Sequence, residues 1–243
     1  MRAWIIALGL AAAACVSAQG AADTPSPFAG QQGPAQTQTQ THAQTQAQTQ
    51  AQAQAQAQTP QNFPAIDLPA GAYRIDPRHT SVLFRIRHEG LSWFTARFDT
   101  KDATLQLNPA SPAQSHLTAS VDATSVNTGL TNTAGERAFD RSIGNAIGAQ
   151  TTQQITFNST AVERTGQYTA RVTGDLTMNG QTHPAVLDVT FDGGKNDIVR
   201  GGAVAVGFSA HGVIDRSQWG IGQWTAFAGN DVQIVIETEF THS

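Results

Sequence analysis

The stretch HTSVLFRIRHEGLSWFTARF, residues 79–98, places arginines one position away from large apolar side chains. Successive side chains of a β-strand point to opposite faces, so this alternation gives the strand one apolar and one polar face. The first apolar face is predicted to hold Val82, Phe84, Ile86 and His88. After a turn at 89–90, the same alternation puts Phe94, Ala96 and Phe98 on one face. The stretch therefore predicts a β-hairpin with one face towards an interior.

The period of two continues through much of the chain that follows. Alternating apolar residues recur at 103–107, 117–121, 168–176, 185–191, 204–210 and 232–240. Asn179-Gly180 predicts a tight hairpin turn, because both residue types tolerate a positive φ. Gly193-Gly194 predicts the next reversal on the same grounds. The pattern is typical of an antiparallel meander.

Residues 134–150 interrupt this pattern. Phe139, Ile143 and Ile147 recur there at helical spacing and predict a short helix or capping loop. Many alternating strands with one helical interruption favour a closed antiparallel barrel, since closure removes the sheet edges that would otherwise aggregate. The sequence therefore predicts an all-β fold with a short helical insertion.

The N-terminal quarter of the chain has a different composition. Residues 31–59 are almost entirely Gln, Thr and Ala, and such a tract cannot bury enough apolar surface to offset its ordering entropy. We expect a disordered Gln/Thr/Ala-rich linker over 19–67 and one folded domain over 68–243.

The first 18 residues predict export. Met1-Arg2 gives a positive start, an apolar run follows, and Val16-Ser17-Ala18 supplies small residues for cleavage after Ala18. A signal peptide over 1–18 and a periplasmic location are therefore expected. Cys15 is the single cysteine, and lipoprotein anchoring through it is the less favoured alternative.

Charge and motifs exclude several functions. The net charge is −4 with no Lys/Arg-rich block, which disfavours nucleic acid as a partner. The chain has no G-x-S-x-G motif and no histidine spacing typical of zinc sites. Asp76, Asp99, Asp102 and Asp122 are expected at strand ends, facing water. We predict no catalytic residue, no metal ligand and no required cofactor.

Four stretches, in order and in register, resemble a known family. They are YRIDPRHTSVLFRIRHEG from 73, ITFNST at 155–160, GDLTMNGQTHPAVLDV at 174–189 and GFSAHGVIDRSQWGI at 207–221. Together they are similar to the YceI-like family of exported bacterial lipid-binding proteins. The resemblance implies an extended, lipocalin-like eight-stranded antiparallel β-barrel whose tunnel holds a polyisoprenoid or another long-chain amphiphile, without catalysis.

Two positions depart from the family's pattern. Residues 137–141 read RAFDR where the family often has Arg-Asp-x-His-Leu, and Gln153 replaces a usual proline. Both lie near the predicted helical insertion.

The interior of such a barrel is either filled by side chains or open to one elongated ligand. With the resemblance, we favour a tunnel. Its predicted ligand contacts are Val82, Phe84, Ile86, His88, Phe94, Phe98, Leu176, Phe208, Trp219 and Trp224. His88 is either a hydrogen-bonded structural histidine or a contact to a lipid head group. The Asp215-Arg216-Ser217 turn is expected to fix the last loop through a charge-assisted bond.

Three functional hypotheses follow. The first is a periplasmic carrier for a quinone-like prenyl lipid or a fatty-chain lipid, with transient membrane contact. The second is an enzyme or accessory factor acting on the lipid head group, and the third is a structural envelope barrel with a filled core. A homodimer is compatible with each.

Overall fold

The computed structural model describes residues 67–198 and 201–243, so the predicted signal peptide, Cys15 and nearly all of the predicted linker lie outside the described residues. The strands are β1 Gly71–Ile75, β2 Ser81–His88, β3 Ser92–Phe98, β4 Lys101–Leu107, β5 His116–Asp122, β6 Val126–Asn127, β7 Gln154–Arg164, β8 Thr169–Met178, β9 Gln181–Asp197, β10 Ala203–Asp215 and β11 Ala228–His242. A single α-helix of the described residues, α1, spans Ala138–Ala146, and short 3-10 helices fill several connections. None of these helices is long and apolar enough to cross a membrane.

The strands form one closed antiparallel barrel. Its wall runs in the order β1, β4, β5, β7, β8, β9, β10 and β11, and β11 pairs again with β1. The closing register joins Tyr73 to His242 and Ile75 to Phe240. Further along the barrel, β2 takes the place of β1 beside β11, while β3 and β6 continue the wall next to β2. Three of the eight barrel strands are therefore each broken in two, and the predicted eight-stranded barrel is confirmed.

Aspartates stand at all three breaks. The carboxylates of Asp76 and Asp122 accept hydrogen bonds from the backbone N–H groups of Arg78, at 2.9 Å, and Thr124, at 2.8 Å. Each bond starts a short 3-10 helix that interrupts the strand, because an aspartate side chain can replace the ladder as backbone partner. At the third break, Asp99 accepts from the Asn127 amide at 2.8 Å. These three carboxylates lie at strand ends, as expected, but Asp76 is buried and does not face water, because its carboxylate bonds the turn at 77–79.

One of the two predicted glycine turns is correct and the other is wrong. Asn179 and Gly180 both have positive φ, 50° and 72°, and connect β8 to β9. Gly193 and Gly194 lie inside β9 instead. The pairing partners of β10 skip Asp192 there, so the glycines mark a β-bulge, where a residue without a side chain accommodates the local twist.

The helix α1 lies at one end of the barrel, within the predicted range 134–150. The side chain of Ile143 is buried, and Gly144 approaches the Ala123 backbone so closely that a Cβ would stand 2.8 Å from its carbonyl oxygen. After the helix, Gly148 contacts Asn179 in the β8–β9 turn. We call this the helix end of the barrel, and the opposite end, where β1 begins and β11 finishes, the far end.

Candidate functional site

A cavity of about 800 Å³ occupies the barrel interior. Its lining comes from the inward faces of the strands, in the alternation that the sequence predicts. On β11, for example, Val232, Ile234, Ile236 and Phe240 all line it. Side chains of both the helix end and the far end contribute, so the cavity is an elongated tunnel with a largely apolar wall.

The tunnel opens at the helix end, between aromatic side chains. Phe139, Trp224 and Phe227 line it and are 44%, 42% and 53% exposed. Leu91 and Leu130 are also exposed at this end. We call these five residues the apolar rim. They are five of the eight large hydrophobic side chains that the described residues leave exposed.

At the far end, aromatic rings pack against each other. Tyr73 and Phe240 are almost fully buried, and the Phe240 ring lies 6.2 Å from that of Phe208. The Tyr73 hydroxyl donates to the Pro69 carbonyl at 2.8 Å, so this buried phenol has a partner. The lining at this end also reaches exposed polar residues of the β7–β8 turn, Arg164, Gln167 and Thr169, whereas the exposed lining residues Phe139, Trp224 and Phe227 at the helix end are apolar.

Nine of the ten predicted ligand contacts line this tunnel. They are Val82, Phe84, Ile86, His88, Phe94, Phe98, Leu176, Phe208 and Trp224. The rings of Phe84 and Phe98 lie 5.4 Å apart, and Phe94 contacts Phe139 of α1 at 5.7 Å. Their contact with a ligand stays a prediction, but the hairpin at 79–98 contributes its apolar face to the wall.

Trp219 is placed differently. It is not among the lining residues, and its indole, 1% exposed, donates to the Leu176 carbonyl at 3.0 Å and meets the His183 ring edge-on. These contacts do not support the predicted ligand contact. From sequence alone, an aromatic residue near the end of a barrel is equally compatible with a place in the wall and with a place in the tunnel lining.

The tunnel lining includes several polar side chains, among them Lys101, Asp102, Thr156 and Arg164. Two others, His88 and Arg216, both with nitrogen groups, lie near the start of β11. His88 is the last residue of β2, pairs with Ala228, and is exposed. Within residues 67–198 and 201–243 its imidazole makes no hydrogen bond, so the hydrogen-bonded alternative has no partner there.

Arg216 also lines the tunnel, a position that the sequence did not predict. Its guanidinium donates to the carbonyls of Gln223, at 2.6 Å, Ala228, at 3.1 Å, and Gly229, at 2.9 Å. These bonds hold the loop that carries Trp224, which confirms that the turn at 215–217 fixes the last loop. Burial lowers the pKa of Arg216, partly opposed by the nearby Asp215 charge.

The sequence profile of the YceI-like domain matches residues 73–240, which is most of the barrel. The chain belongs to the YceI-like family. Protein YceI of Escherichia coli O6:H1 is 33% identical over 172 residues, covering 70% of this chain and 86% of that protein. Protein YceI of Shigella flexneri is 34% identical over 174 residues, with the same coverage.

Solved structures share the YceI-like fold. Burkholderia cenocepacia BcnA aligns with a TM-score of 0.58 and 22% identity, over 68% of this chain and 98% of that one. The Campylobacter jejuni YCEI protein aligns with a TM-score of 0.53 and 22% identity, over 77% and 95%. At this level of sequence identity, the likeness shows a shared fold and nothing more.

This chain's departure from the YceI-like pattern at 137–141 produces an anchor for α1. The buried Asp140 carboxylate accepts from the Thr128 backbone N–H at 3.0 Å, from its hydroxyl at 2.6 Å, and from Arg137. Burial alone would raise the pKa of Asp140, but these donors and the guanidinium charge outweigh it and hold the pKa below its ordinary value.

The outer face of the opening hairpin is polar, as the alternation predicts. The guanidinium groups of Arg85 and Arg87 each lie 5.2 Å from the ring centroid of Trp93. Two cations therefore flank one indole on the outside of the same strands whose inside is apolar.

One group of described residues has donor atoms close enough together for a metal ion. Atoms of Asp76, His79 and Glu239 lie within 4.8 Å of one another. The Asp76 carboxylate already accepts from the Arg78 N–H and contacts His79 Nδ1 at 2.9 Å, which accounts for its position as the cap of the turn at 77–79. That the chain uses no metal stays a prediction.

Proposed function

We propose that this YceI-like protein holds one long-chain isoprenoid or similar amphiphile in its tunnel and carries it through the periplasm. The observation that supports this most is the apolar tunnel of about 800 Å³, lined by nine of the residues predicted to contact such a chain. Cavities of a few hundred to about 1,000 Å³ are typical of sites that enclose a small ligand. An elongated apolar shape fits a chain better than a compact polar molecule.

The apolar wall also supports binding that is reversible. Each isoprene unit removes about five carbons from water, worth roughly 4 kcal/mol at ~0.8 kcal/mol per carbon. A lipid that moves from a bilayer into the tunnel exchanges one apolar environment for another, so most of this free energy cancels. Such balance suits a carrier, which must release its ligand.

We further propose that the apolar rim touches the membrane during exchange. Exposed contiguous apolar patches on proteins mark surfaces that other molecules cover. Three rim residues, Phe139, Trp224 and Phe227, also line the tunnel, so a lipid leaving a bilayer at the rim would stay in apolar contact throughout. Export through the signal peptide at 1–18 belongs to the same proposal and lies outside the described residues.

The test is organic extraction of the protein purified from its native host, followed by mass spectrometry. We expect a stoichiometric prenyl or fatty-chain lipid. Ile86→Asn, which turns a polar amide towards the tunnel, should deplete that lipid, while the neighbouring outward change Arg85→Ala should not. A lipid-free, fully stable protein would overturn the carrier function in favour of a barrel with a structural role. A chemically altered lipid on incubation would favour the enzyme hypothesis.

A further inference from the structure

Arg216 is a buried cation beside an apolar tunnel. Its side chain is 5% exposed, and among the described residues no carboxylate forms an ion pair with it. The adjacent Asp215 carboxylate instead accepts from the N–H of Ser217 at 2.9 Å and from its hydroxyl at 2.6 Å. The Asp215 charge therefore acts on the guanidinium only at a distance, and a buried charge without a direct ion pair must be compensated by other contacts.

The contacts within the chain use only part of what Arg216 offers. A guanidinium has five N–H donors, and three of them bond to backbone carbonyls, one each from Nε, Nη1 and Nη2. One donor on each terminal nitrogen is left over. Arg216 lines the tunnel, so an acceptor for these donors can arrive with the ligand.

His88 lies next to this position. It pairs across β2 and β11 with Ala228, whose carbonyl accepts from Arg216. The two polar side chains therefore flank the start of β11, just inside the rim residues Trp224 and Phe227. The lining also includes Lys101 and Arg164, but these side chains are half-buried and exposed, respectively, whereas Arg216 is buried.

We propose that Arg216 and His88 form a head-group site for a lipid whose head carries anionic oxygens, a phosphate or a carboxylate. This inference rests on the proposed function and adds the ligand's orientation to it. The paired donors of a guanidinium match two oxygens of either group. The head then stays at the helix end, and the tail extends towards the far end.

The experiment compares three probes of equal chain length, farnesyl phosphate, farnesoic acid and farnesol, titrated into delipidated protein and followed by tryptophan fluorescence. Charge-assisted hydrogen bonds contribute about 1.5–3 kcal/mol, so we expect at least one anionic probe to bind roughly 10-fold or more tightly than farnesol. The better of the two identifies the head group as phosphate or carboxylate.

Variants then assign the preference to these side chains. Arg216→Lys keeps a charge but loses the paired donors, and His88→Ala changes an exposed side chain that the fold does not use for hydrogen bonding. Either change should lower the affinity for the anionic probes more than the affinity for farnesol, and so shrink the anion preference. The matched control His211→Ala, exposed and outside the tunnel lining, should leave all three affinities unchanged.

The outcomes separate this inference from the proposed function. Equal affinities of the wild type for all three probes, or a preference that His88→Ala and a folded Arg216→Lys both retain, would overturn the head-group site while leaving the carrier intact. If Arg216→Lys does not fold, His88→Ala alone decides. Failure of every probe to bind would instead remove the proposed function.

Discussion

The two ends of the barrel treat their large apolar side chains in opposite ways. At the far end Tyr73 and Phe240 are buried against neighbours, whereas at the helix end Trp224 and Phe227 project from the tunnel mouth. The strand ladder closes at the far end, where β11 pairs with β1, whereas at the helix end the row β11, β2, β3 and β6 stops at β6, which pairs with β3 alone among the described strands. The difference therefore follows the strand pairing: large side chains are buried where the ladder closes and exposed where it ends and loops continue the wall.

The largest expected effect comes from removing a ring at the far end. Phe240→Ala takes away a buried aromatic side chain and should lower the free energy of unfolding by about 3–5 kcal/mol. Phe227→Ala, the matched change at the rim, should alter it by at most about 0.5 kcal/mol. Urea denaturation of delipidated protein measures both. Equal losses would contradict the assignment of separate roles to the two ends.

A change midway between the ends should divide its effect between folding and binding. Phe84 lines the tunnel and is partly exposed to it, so Phe84→Ala should cost roughly 1–2 kcal/mol of stability, less than a fully buried ring. Lipid content after purification should fall more clearly than stability does. A loss of 3–5 kcal/mol without any change in lipid content would indicate a filled core at this position.

The rim should matter for exchange with membranes. Phe227→Ala removes apolar surface worth about 1–2 kcal/mol on transfer into a lipid environment and should slow lipid uptake from vesicles roughly tenfold. Ile198→Ala, which shortens an exposed apolar side chain directly after β9, at the far end of the barrel, is the control. Uptake that slows equally in both variants would show that general surface hydrophobicity, not the rim, governs exchange.

The smallest expected effect is a loss of local stability at acidic pH that is confined to the helix end. The pKa of Asp140 is held below its ordinary value in the folded chain, so its contribution to stability is complete above about pH 4 and is lost as pH falls through the folded pKa. Lowering the pH from 5 to 3 should speed hydrogen exchange in α1 before it affects the far end. Asp140→Asn should flatten this profile, and Asp188→Asn on the outer wall should not.

The period of two predicted most of the tunnel wall because a strand's parity depends only on local sequence. Phe84, Phe98 and Phe208 all face inward for that reason. Features that depend on where a strand is interrupted were harder to predict from the sequence. Asp76 was predicted at a strand end, but the sequence does not say that the chain resumes in the same barrel strand, nor that Gly193 bends β9 without ending it.

Site residues that lie in loops were also hard to predict from the sequence. Trp219 and Trp224 are five residues apart in one loop, yet the first packs into the wall and the second at the mouth. Arg216 was assigned to fixing the loop, which it does, but its place on the tunnel wall depends on a fold that brings the start of β11 beside it. No local pattern encodes such a contact.

The pairing of Tyr73 with His242 has a consequence for biogenesis. The residues that complete the cylinder come from opposite extremities of the domain, so during synthesis its last seam cannot form until the final strand has emerged from the ribosome. Contacts between residues this far apart in sequence are also slow to form. The apolar faces of the strands therefore stay exposed for most of translation. Conversely, because the two termini meet side by side, a circularly permuted gene that joins them and opens the Asn179-Gly180 turn should still encode a closed cylinder.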